Sequence, residues 1–78
     1  MNVRNADSIK KLGERIRQAR EAAEMSQEVL AVRSGLSVAT VRRAETGSHA
    51  STVATLAALA EVLGTTVSAW IEPAAEVA

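Results

Sequence analysis

Seventy-eight residues with 47% hydrophobic but only 1% aromatic content make one small domain with an aliphatic core. The absence of cysteine excludes a disulfide framework and a thiolate metal site. Nine basic residues balance nine acidic ones, so net charge alone gives no argument for a polyanionic partner.

The predicted elements, in chain order, are all helical: an all-α, compact five-helix domain. Met1 to Ala6 is expected as a loose arm, with the domain proper spanning residues 8–72. Asp7 or Ser8 is expected to cap a first helix from Ile9 to Ala23 or Glu24. Its apolar stripe is Ile9, Leu12, Ile16, Ala19 and Ala23. Gly13 within it costs about 1 kcal/mol against alanine and marks close packing or a nearby ligand.

The stretch Ser26 to Gly47 reads as two short helices joined by a tight turn. Ser26 caps Gln27–Arg33, Gly35 turns the chain, and Ser37 caps a helix that runs to about Thr46. Helices this short are not stable alone, so packing must hold them. Val41, Ala44 and Glu45 share an inner face by their spacing. Val38, Ala39, Arg42, Arg43 and Thr46 are assigned to the outer one. Small residues at the start of a helix, followed by long donors, suit entry into a DNA major groove and contact with base edges.

Ser51 or Thr52 is expected to cap a fourth helix, Val53 to Leu63, with Val53, Leu56, Ala57, Ala60 and Leu63 inward. That apolar stretch is too short to span a membrane and is broken by Thr55 and Glu61. Thr66 caps a last short helix, Val67 to Glu72, and residues 73–78 form a tail. The polar start is not a signal peptide, so the expected location is cytoplasmic. Every Lys and Arg lies at or before Arg43, whereas Glu45, Glu61, Glu72 and Glu76 follow it. The chain is thus electrically polarised, and local potential rather than net charge steers a polyanion.

Gln27, Ala31, Gly35, Leu36, Val41, the Glu45–Gly47 ending and the following Leu56, Leu63 and Gly64 form an ordered set. With it the chain resembles the helix-turn-helix domain of the phage repressor and Cro family, from about Leu12 to Ile71. The resemblance implies a lambda-repressor-like fold and a sequence-specific DNA-binding regulator of transcription. The expected form is a repressor that binds a palindromic operator as a homodimer. It implies base reading by Val38, Ala39, Arg42 and Arg43, although Val38 and Ala39 offer only apolar contact. Two solvated surface arginines are the plainer reading of Arg42 and Arg43.

The same resemblance assigns Gln27 and Thr40 to phosphate at helix N-termini, with Ser37 beside them as cap and contact together. It places Thr46, Ser48 and His49 where the loop meets the DNA backbone. It also implies a partly buried salt bridge between Arg20 and Glu45. Trp70, the only aromatic residue, reads either as a core plug or as a dimer anchor with Val67 and Ile71. No cofactor, metal or membrane partner is expected. One His, one Asp and no Cys or Tyr leave few groups for acid–base or nucleophilic work, so an enzyme is not expected. The competing class is a protein-interaction module, an adaptor or antitoxin-like domain, that keeps the fold with weak DNA affinity.

Overall fold

The computed structural model describes residues 3–48 and 51–71. Five helices follow one another: α1 Val3–Ala22, α2 Gln27–Ser34, α3 Val38–Thr46, α4 Val53–Leu63 and α5 Val67–Trp70. No strand occurs among the described residues. Ile16, Leu30, Val41 and Leu59, each from a different helix, meet fully buried at the centre. Leu56, Ala60 and Trp70 extend that core towards α5.

Four helices start on the same local device. The hydroxyls of Ser26, Ser37, Thr52 and Thr66 accept from the backbone N–H of Val29, Thr40, Thr55 and Ala69, at 3.0–3.2 Å. Each satisfies a donor that the first helical turn leaves free. At the end of α2, Gly35 takes φ +73°, and the Leu36 N–H reaches back to the Ala31 carbonyl at 2.9 Å. That left-handed residue lets α3 leave at a sharp angle within three residues.

Two glycines set how closely α1 approaches α3. A Cβ on Gly13 would stand 2.5 Å from the Glu45 carbonyl oxygen and 2.6 Å from that of Ala44. A Cβ on Gly47 would stand 3.0 Å from the Lys10 Cα, and its φ of +73° already disfavours other residues. The close packing read from Gly13 is therefore backbone against backbone, with α3 as the neighbour.

Several boundaries and faces differ from expectation. Helix α1 begins at Val3, so residues 3–6 of the expected arm are helical, and Asp7 and Ser8 are exposed positions inside the helix rather than caps. No Gly or Pro precedes Asp7 to stop the helix, and an Asp inside it costs only about 0.7 kcal/mol against Ala. Ala23 is exposed, beyond the end of α1. On α4, Val53 is 75% exposed and Ala57 is exposed, while the unanticipated Leu59 is fully buried. The helix is apolar nearly all round, so spacing alone could not choose its face. Helix α5 ends at Trp70 instead of Glu72; residues 72–78 lie outside the described residues.

Candidate nucleic-acid interface

Helix α3 is buried on one side and open on the other. Val41 and Ala44 enter the core, while Ala39, Arg42, Arg43 and Thr46 are exposed. Val38 departs from its expected place on the outer face: it is half-buried and packs against the core. The spacing contains the reason, because Val38 stands three residues before Val41 and seven before Glu45, on one stripe.

Glu45, on the inner side of α3, is the one charged residue among those buried, at 7% exposure. The Arg20 Nε donates to its Oε2 at 2.6 Å, and the Arg20 Nη2 to its Oε1 at 3.1 Å. Such a two-point grip uses the planar fork of the guanidinium. The Gln27 Nε2 donates to the same Oε1 at 3.0 Å. The Arg20 Nη1 donates to the Met25 carbonyl at 2.8 Å. One side chain thereby joins α1, the turn before α2, and α3. The hydrogen bond to Glu45 raises the Arg20 pKa above its ordinary value, against the opposing effect of burial. A raised guanidinium pKa adds stability that persists through the neutral range and fades only above the usual arginine value.

The network has an electrostatic consequence. Helix α3 carries Arg42, Arg43 and Glu45, but Glu45 is neutralised internally by Arg20. Its open face therefore presents two guanidiniums beside Ala39 and Thr46 with no carboxylate from α3 to offset them. The cleft between α1 and α3, about 460 Å³, differs in character. Lys10, Arg17 and Arg20 line it together with Glu14, Glu21 and Glu45, so its charges cancel. The exposed Arg42 and Arg43 have no such offset from their own helix.

The other sequence-assigned positions lie at the starts of α2 and α3 and at the end of α3. The Ser37 Oγ and Thr40 Oγ1 lie 2.8 Å apart at the start of α3, with Ser37 exposed and Thr40 half-buried. At its end, the Thr46 Oγ1 contacts the Ser48 Oγ at 3.2 Å and the Arg43 carbonyl at 3.3 Å. His49 lies outside the described residues. Gln27 is half-buried at the first position of α2, with its amide turned to Glu45.

Of the expected dimer residues, Trp70 is only 5% exposed and belongs to the core, so its ring is not a surface anchor. Val67 is half-buried against that core, and Ile71 is 52% exposed. Two contacts were not anticipated: the Gln27 amide on Glu45, and the Arg15 Nη1 donating to the Trp70 carbonyl at 2.8 Å. The first was within reach of inspection, since a buried carboxylate has room for more donors than one arginine supplies. The second joins residues 55 apart and left no local signal.

Comparison with known proteins agrees with this geometry. Residues 11–69 match a family model described as a helix-turn-helix domain. Among solved structures, the chain is similar to the restriction-modification controller protein C.AhdI from Aeromonas hydrophila, at 32% identity and a TM-score of 0.77. The match covers 81% of this chain and 96% of that one. No curated protein matches.

Proposed function

From the premise that this chain belongs to the helix-turn-helix domain family and is a DNA-binding regulator of transcription, we propose a sequence-specific repressor that binds a palindromic operator as a homodimer. The observation that carries the reading is the open face of α3: exposed Ala39, Arg42 and Arg43 on a helix whose carboxylate is buried under Arg20. Arginine holds guanine O6 and N7 with two hydrogen bonds, worth about 1–3 kcal/mol of discrimination. Arg42 and Arg43 read base edges, and Ala39 gives close approach and apolar contact to a thymine methyl. Val38 supports the start of the helix from beneath.

Gln27, Ser37, Thr40, Thr46, Ser48 and His49 hold the DNA backbone in this scheme. Exposed N–H groups at the starts of α2 and α3 add to phosphate binding. Gln27 has a second amide hydrogen left for a phosphate once the first is on Glu45. One reading helix covers few base pairs. Two-fold pairing through Val67 and Ile71, with Trp70 beneath them, would set two helices about 34 Å apart, one DNA turn. The similarity to a restriction-modification controller supports a controlling task; in this scheme it is carried out in the cytoplasm without catalysis.

The second reading, a protein-interaction module with weak DNA affinity, draws on the zero net charge and the balanced cleft. Selection of bound sites from a random duplex library, followed by titration at two salt concentrations, separates the two. The proposed function gives one enriched palindrome and an affinity that falls steeply with salt. No enrichment together with salt-independent, negligible binding would favour the module instead.

A further inference from the structure

Helix α2 spends Leu30 and Ala31 on the core and leaves another face open. On that face Val32 is 80% exposed and Val29 39% exposed. Single exposed valines are ordinary. These two stand one turn apart in a shallow notch of about 250 Å³, closed by Glu28 at one end and Arg33 at the other. No polar partner lies between the valines.

The order of these four residues is self-complementary. Glu28 pairs with Arg33, and Val29 with Val32, about one common midpoint between Leu30 and Ala31. A two-fold axis through that midpoint sets each Glu28 at the height of a second chain's Arg33, and each Val29 at the height of its Val32. A contact of this isologous kind satisfies both ends at once, because residue i meets j while j meets i. We infer that the open face of α2 is a docking surface for a second copy of this chain, α2 packed antiparallel on α2. The occupant follows from the charges: one acid and one base, placed symmetrically about an apolar centre, are matched by the same helix reversed.

The surface is small against the total of about 1,000 Å² that a stable interface buries. Alone it gives weak association. It gains strength when copies are already held near one another, through the α5 pairing proposed above or on one DNA molecule. In that use it rests on the DNA-binding reading, but the contact itself requires neither DNA nor α5.

Sedimentation velocity of the full chain without DNA, up to millimolar concentration, tests it. The variants are Val32→Asp, Glu28→Arg, Arg33→Glu and the double reversal Glu28→Arg/Arg33→Glu, with melting temperature confirming the fold. Val32→Asp and each single reversal should weaken self-association by about tenfold or more, since like charges then meet on both sides of the axis. The double reversal should restore it. Unchanged association in Val32→Asp and both single reversals would overturn the proposal, as would a double reversal no better than either single one. Ile71→Asp, measured in parallel, reports on the α5 dimer. Loss of association there, with none in Val32→Asp, removes the α2 contact and leaves the dimer. The opposite pattern keeps the α2 contact and removes the α5 pairing.

Discussion

Glu45 lies buried with Arg20 and Gln27 donating to its two carboxylate oxygens from two sides. Removing one partner of a buried pair costs about 3–5 kcal/mol, because the other charge stays behind without compensation. Glu45→Ala should therefore lower the melting temperature of the isolated domain markedly, and Glu45→Gln less so, since the amide oxygen still accepts from Arg20. An unchanged melting temperature in Glu45→Ala would show that the pair does not hold the fold. Gly13 gives the opposite of a helix-propensity expectation. Alanine at a helical glycine normally adds about 1 kcal/mol of stability. Here the added methyl meets backbone carbonyls that cannot turn aside, so Gly13→Ala should destabilise, as read by urea unfolding. Glu24 is the only non-glycine residue at positive φ among those described, at +59°. Glu24→Gly should then be neutral or stabilise by up to about 1 kcal/mol, since left-handed backbone costs a side chain about that much.

At the scale of the elements, what the sequence revealed and what it hid divide along physical lines. Caps and turns are local, so Ser26, Ser37, Thr66, the turn at Gly35 and the ending at Gly47 were legible in the chain. Faces were legible only where polar residues contrast with apolar ones. On α3 the outward Arg42 and Arg43 and the inward Val41 and Ala44 separate cleanly, whereas the nearly all-apolar α4 concealed Leu59. Val38 is small and apolar at the start of the helix, which suits groove entry, but its spacing from Val41 turns it to the core. The anchoring of α5 was not legible at all. Four residues long, it is held by Trp70 in the core and by Arg15 on its last carbonyl. A cation at a helix C-terminus with one hydrogen bond contributes about 1–2 kcal/mol. Arg15→Ala should speed amide exchange in α5 more than in α3, with only a small change in global stability. Equal acceleration in both helices would mean that Arg15 supports the fold as a whole.

Across the whole molecule, the described residues divide into a braced frame and the open face of α3. Helix α1 braces α3 through Gly13, Gly47 and Arg20, so that the orientation of α3 is set before any DNA arrives. A preset helix spends less of its binding energy on ordering. The charges follow the same division, with acids and bases cancelling in the cleft and Arg42 and Arg43 uncancelled by α3's own carboxylate. The exposure of the two arginines was legible from their spacing against Val41 and Ala44. Which bases the proposed reading would bring to them was not, because that depends on side-chain reach in a groove. The most direct test is the binding of wild type, Arg42→Ala and Arg43→Ala to the selected operator and to a scrambled duplex at one fixed salt concentration. Base reading by these arginines predicts a loss of about 1–3 kcal/mol on the operator and a much smaller one on the scrambled duplex. Equal losses on both duplexes would contradict it and leave the arginines as phosphate-seeking charges.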